Sequence, residues 1–170
     1  MVVTLKKKIS WEKRDRNNII DYSFSGFRTE KNDIDLLSSC KLYIGNGGPT
    51  SVVICSRREM IRINQVPIAI DAGYNYGLWI PKLHYINKST RYLSLSEIFE
   101  LGLGWAHRSE DFKNANIDLK ENSPEDILNV FKDYIKFKEN SFSKSEKSII
   151  KKYHKIRKKI IQWMEILQTG

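Results

Sequence analysis

This chain has no run of about 18 apolar residues, the length that a membrane-spanning helix requires, so no such helix is expected. Cysteine is scarce. The two present among 170 residues, Cys40 and Cys55, show neither the C-x-x-C spacing nor the histidine pairing that would suggest zinc. They read as buried thiols in a reducing compartment. Histidine is equally thin: His84, His107 and His154 stand apart, with no serine, cysteine or acid at a spacing that would make a catalytic base. Acidic charge is also short, since 29 lysines and arginines face 20 acids and leave a formal charge of +9. That balance favours polyanionic neighbours such as nucleic acid, anionic lipid or a phosphorylated substrate. No helix-turn-helix, RNA-recognition aromatic motif or zinc finger is present, which speaks against nucleic acid. The amino terminus, Met1 to Lys8, sets three lysines after a short apolar stretch with no apolar core following, unlike a signal peptide. The expectation is a cytoplasmic chain of one main domain.

What is present centres on Leu42-Tyr43-Ile44-Gly45-Asn46-Gly47-Gly48-Pro49-Thr50-Ser51. An apolar β-prone run enters a glycine turn, and Thr50 or Ser51 can cap a helix continuing through Val52, Val53, Ile54 and Cys55. Backbone N–H groups at such a start favour an anion, and glycine lets the ligand approach and supplies positive φ. The turn matches neither a Walker A loop nor G-x-G-x-x-G, so a phosphate cradle and a plain structural turn both fit it. The helix is expected to run to about Ile63, with Val66-Pro67-Ile68-Ala69-Ile70-Asp71 as the next strand, completing a βαβ unit of a parallel sheet.

Elsewhere Val2 to Leu5 reads as a strand and Ile19 to Phe24 as a short apolar stretch. Thr29 to Cys40 fits a helix capped by Thr29 or Asn32, with Ile34, Leu37 and Leu36 facing inward. Ala72 to Asn87, rich in glycine and aromatic residues, has no clean period and reads as a long loop. Ser94 and Glu97 have capping-box spacing and open a short helix that the glycines at 102 and 104 end. Ile117 and Leu119 mark a brief strand. Ser123-Pro124-Glu125-Asp126 is the clearest helix start, with Ile127, Phe131, Tyr134 and Ile135 on one face and Asn140-Ser141 as the break. Asp33 and Asp35, like Glu125 and Asp126, fall in first helical turns, where the dipole accounts for them; no pair reads as a glycosidase dyad.

From Ser145, Ile149, Tyr153, Ile156, Ile160, Trp163 and Leu167 recur at alternating spacings of about 4 and 3, a heptad-like seam among lysines. The expected organisation is therefore a domain over 1–140 and a basic amphipathic helix over 141–170. Three roles fit that helix: peripheral contact with an anionic inner membrane face, docking onto a partner chain or a second copy, or packing on its own sheet.

Taken in order, Asp33-Ile34-Asp35, Cys40 to Gly45, Gly48-Pro49-Thr50-Ser51-Val52, Val66-Pro67-Ile68, Trp79-Ile80-Pro81-Lys82-Leu83, Leu93 to Phe99 and Glu121 to Ile127 span roughly residues 19–136. In that order the chain resembles the carboxy-terminal half of a family of bacterial glycosyltransferases with the GT-B architecture. The resemblance implies an α/β fold, a Rossmann-like parallel sheet with helices on both faces, acting as the nucleotide-sugar-binding half of the enzyme. It implies a phosphate cradle at Asn46, Gly47, Gly48, Thr50 and Ser51, and nucleotide or sugar contacts at Asp71, Tyr74, Asn75 and Tyr76. It further implies no cofactor and no metal, with the nucleotide-sugar as substrate and the acceptor-activating base on another domain or partner chain. A non-catalytic polyanion- or membrane-binding module, or a fragment like a nucleotide-sugar epimerase, are the alternatives.

Overall fold

The structure, a computed structural model, describes residues 2–3, 19–69, 77–87, 91–152, 154–155 and 158. Strand β1 (Val2–Val3) pairs in parallel with β2 (Ile20–Asp21). Helix α1 (Glu30–Ser39) begins where the threonine signal places it: Thr29 Oγ1 accepts the Asn32 N–H at 3.1 Å, and Glu30 and Asp33 lie in the first turn. Its half-buried stripe is Asp33, Leu36, Leu37 and Cys40, so Ile34, expected inward, lies off the stripe and is 54% exposed. Cys55 likewise departs from the buried-thiol expectation and is exposed, while Cys40 is half-buried.

The glycine turn does join a strand to a helix. Strand β3 (Leu42–Gly45) leads into α2 (Pro49–Cys55), and β4 (Glu59–Gln65) then returns parallel to β3 with Leu42 opposite Glu59 and Gly45 opposite Arg62. This is the expected βαβ unit, with its second strand earlier than the sequence suggested. The helix stops at Cys55 because Arg57 takes a left-handed conformation (φ 54°), the Arg57 N–H bonding the Ile54 carbonyl and the Arg58 N–H the Val53 carbonyl. Those two bonds form a Schellman closure, usually marked by glycine, which is why the sequence did not show it. Residues 59–63, expected as helix, are strand; Val66 and Pro67 lie beyond it, and 68–69 are helical rather than extended. Ile70 and Asp71 lie outside the described residues.

Strand β5 (Leu78–Pro81) adds on the other side of β4, again in parallel, giving the order β3-β4-β5. Lys82 links it directly to β6 (Leu83–Ile86), which pairs antiparallel with β7 (Ile117–Lys120). The stretch expected as one long loop thus holds two strands. Met60, Ile61 and Arg62 are consecutive and all buried, so both faces of the central strand are covered. On the Ile61 face lies α5 (Pro124–Glu139), which brings Val130, Phe131 and Tyr134 onto Leu42, Ile63, Leu78 and Ile80. Its start is as read from sequence: Ser123 caps, Pro124 takes the first position and Asp126 completes the box, while left-handed Asn140 ends it. Val130 is the buried position that the sequence reading passed over, and Ile135 stays exposed. At the amino end of β4, Glu59 accepts from Tyr134 and Lys138, tying α5 to the sheet. Burial, reinforced by that carboxylate, pushes the Tyr134 phenol up to about 12.

Between β6 and β7 run α3 (Leu95–Glu100), with the Ser94–Glu97 capping box in place, a 3-10 turn over Leu103–Trp105 and α4 (Ser109–Asn114). Ile98, Leu103, Ala106, Phe112 and Ile117 pack with Ile68 as a second apolar cluster. Residues 144–152 are helical, and Ile149, first of the heptad-like seam, is 65% exposed. Tyr153, Ile156, Ile160, Trp163 and Leu167 lie outside the described residues.

Candidate functional site

Open α/β sheets receive ligands at the carboxyl ends of their parallel strands. In this fold those ends border a crevice of about 460 Å³, a size typical of small-molecule sites. One wall is the strand ends themselves: Asn46 follows β3, Asn64 and Val66 bracket the end of β4, and Lys82 follows β5. His107, which precedes α4, and Ser109, Phe112 and Lys113 on it also line the crevice. The remaining side is β7, through Ile117, Asp118 and Leu119. The lining therefore mixes apolar surface from Val66, Phe112 and Leu119 with two lysines, one aspartate and several neutral hydrogen-bonding groups.

A bulge shapes the β4 wall. Asn64 has φ 55°, and the pairing of β4 with β5 shifts register between Arg62 and Gln65. Asparagine tolerates that left-handed conformation better than most residues, and bulges commonly re-aim side chains beside a site. It is held from across the fold by Asn122, which is buried: the Asn64 N–H donates to Asn122 Oδ1 at 2.7 Å, and the Asn122 N–H donates to Asn64 Oδ1 at 2.6 Å. Asn122 Nδ2 also donates to the Pro81 carbonyl at 2.8 Å, joining the ends of β4 and β5 to the loop before α5.

Lys82 is anchored at both backbone ends, its N–H bonding the Gln65 carbonyl at 3.2 Å and its own carbonyl lying 2.9 Å from His84 Nδ1. A carbonyl only accepts, so that ring nitrogen carries the proton. His84 is 2% exposed, stands edge-on to Phe112, and has its other ring nitrogen, Nε2, buried without a hydrogen-bond partner among the described residues. Burial holds its pKa below the ordinary histidine value, against the smaller opposing pull of the Lys82 carbonyl.

The glycine turn is arranged differently from an open cradle. Asn46, Gly47, Gly48 and Ser51 are exposed and Thr50 is buried. Pro49 at the first helical position has no N–H, the Thr50 N–H bonds back to the Gly47 carbonyl at 3.0 Å, and the Ser51 N–H to the Gly48 carbonyl at 3.2 Å. Gly47 needs its φ of 79°, whereas Gly48 is right-handed helical and a Cβ on it would meet nothing within 4 Å. The Tyr43 hydroxyl donates to the Asn46 carbonyl at 3.1 Å and braces the turn. Of the sequence-derived cradle, Asn46 alone borders the crevice. Asp71, Tyr74, Asn75 and Tyr76 lie outside the described residues.

The sequence reading assigned none of Lys82, His107, Lys113 and Asp118 to a site: His107 was weighed and set aside as a catalytic base, and Lys82 entered only within the resemblance. Only topology brings them together, since they lie just after β5, just before and on α4, and on β7, with no spacing in common. The local signal for Lys82 was the apolar run Leu78-Trp79-Ile80-Pro81 ending in a cation. Among the described residues no three His, Cys, Asp or Glu side chains group so as to hold a metal ion, and no helix is long and apolar enough to cross a membrane. The class defined by these observations is an α/β protein with a three-stranded parallel sheet flanked by helices, consistent with a Rossmann-like arrangement. No family model, curated protein or solved structure matches the chain.

Proposed function

We propose that this domain binds a nucleotide-sugar and serves as the donor half of a GT-B-type glycosyltransferase. The observation that carries the reading is the crevice at the carboxyl ends of three parallel strands, lined by lysines, hydrogen-bonding groups and apolar surface. Such a lining suits a ligand made of an anionic diphosphate and hydroxyl-rich rings. In the reaction the sugar–phosphate bond breaks, its electron pair passes to the diphosphate oxygen, and a cation beside that oxygen stabilises the growing charge. The acceptor hydroxyl forms the new bond, and its proton passes to a base on the acceptor side.

The test is a thermal-shift screen with UDP, GDP, CMP and ADP and their sugar conjugates. A stabilisation by one nucleotide and its conjugate is expected. A cooperative melt that none of them moves counts against donor binding. A rival reading, a polyanion-binding module, is favoured by the formal charge of +9 and by the exposed lysines at 147, 151, 152, 155 and 158. It predicts binding to any polyanion that weakens steeply with salt, with no preference among nucleotides.

A further inference from the structure

We propose that the phosphates of the ligand are held by Lys82 and Lys113 in the crevice, not by the glycine turn, and that Glu121 occupies Lys82 until phosphate displaces it. The inference rests on the reading of the crevice as a site for a phosphorylated ligand, and it identifies the binding groups. The helix start after the turn is short of donors, because Pro49 has none and the N–H groups of Thr50 and Ser51 are spent on the carbonyls of Gly47 and Gly48. The crevice, by contrast, offers charge. Lys82 follows β5 at its carboxyl end with its backbone held on both sides, and its side chain is 28% exposed, so much of its stem is covered where it lines the crevice.

That ammonium now meets Glu121 Oε1 at 3.2 Å, and the Glu121 side chain is 73% exposed. The pair is therefore a rim contact, weak enough for a multiply charged phosphate to replace it. Glu121 can swing into water at little cost, whereas Lys82 stays held by its backbone bonds to Gln65 and His84. Lys113, exposed on α4, lines the same crevice and supplies a second positive charge. Asp118 on β7 and Asn46 at the end of β3 would accept from hydroxyls of the uncharged part of the ligand rather than from phosphate.

Isothermal titration with inorganic pyrophosphate and, separately, with the nucleoside diphosphate giving the largest thermal shift tests this in the wild type and four variants. Lys82→Ala and Lys113→Ala should each weaken both probes at least about tenfold, as expected for a charged hydrogen bond. Glu121→Gln should tighten both about two- to fivefold, the worth of a rim ion pair. Gly48→Trp should leave pyrophosphate affinity within about twofold, because Gly48 is not among the residues lining the crevice and a Cβ on it meets nothing within 4 Å. Circular dichroism confirms that each variant folds, and Lys82→Gln replaces Lys82→Ala if the latter does not. Loss of binding in Gly48→Trp with Lys82 and Lys113 indifferent would place the phosphates on the turn and overturn the inference, leaving nucleotide binding intact. Binding that Glu121→Gln weakens or leaves unchanged would overturn the displacement of Glu121. Absence of binding by either probe in the wild type would overturn the inference together with the nucleotide-sugar reading.

Discussion

Asn122→Ala should destabilise the domain and blunt its crevice together. The substitution removes the acceptor of the Asn64 N–H, at 2.7 Å, and the donor to the Pro81 carbonyl, at 2.8 Å. A buried polar group left without a partner costs about 1–3 kcal/mol. Both groups here are part-buried, so water recovers some of that loss, and the sum is about 2–3 kcal/mol. For a domain of this size that lowers Tm by roughly 4–12 °C. Urea unfolding monitored by circular dichroism, with linear extrapolation, measures it. Leu128→Ala, at an exposed position of α5, is the control and should stay within about 0.5 kcal/mol. Asn122→Asp sharpens the test, because it keeps the acceptor for Asn64 while setting a carboxylate against the Pro81 carbonyl. It should be no better than alanine at neutral pH and should recover as the carboxyl protonates. A loss under about 0.5 kcal/mol for Asn122→Ala would refute the clasp as a structural element.

Three further outcomes follow from named groups. Gly77 has φ 84°, and a Cβ there would collide with the Met60 carbonyl, so Gly77→Ala should cost more than about 2 kcal/mol or abolish the cooperative melt, while Gly48→Ala is nearly neutral. His84 is held neutral in the fold with its pKa depressed, so its contribution is present above the unfolded value of about 6.5 and is lost as pH falls below it. Urea midpoints at pH 7.5 and 5.5 should therefore differ more in the wild type than in His84→Leu; equal differences would exclude His84 as a source of the slope. Ser123→Ala should cost about 1 kcal/mol through the lost cap, with Ser123→Asp retaining most of it. In that alanine variant the Asp126 carboxyl, held low chiefly by the Ser123 hydroxyl, should titrate nearer its ordinary range by NMR.

Much of the fold was legible because it is signalled locally. Thr29, Ser94 and Ser123 are capping residues with the right neighbours, and each caps a helix in the structure. The glycine turn joins strand to helix, and the unit it begins is a parallel βαβ. The errors arise where a local rule was overridden by residues that rarely carry it. Arg57 closes α2 in a left-handed conformation where glycine is the usual marker, so the helix looked longer and β4 was displaced along the chain. Arg62 is buried within β4, giving the strand a charged residue on one covered face and hiding its continuous burial. Aromatic and glycine content hid β5 and β6 within an apparent loop. The crevice was the least legible part. Lys82, Lys113 and Asn64 become neighbours only through the order β3-β4-β5 and the return of β7, and no spacing along the chain announces it.

The most direct test of ligand binding at the strand ends is a two-dimensional ¹H–¹⁵N NMR titration of the assigned protein with the stabilising nucleoside diphosphate at physiological salt. Binding there should give saturable shifts concentrated at Asn46, Asn64, Lys82, Ser109 and Lys113, the border of the crevice. Shifts confined to the lysines of residues 144–152, vanishing as salt is raised, would contradict it and identify the chain as a polyanion binder.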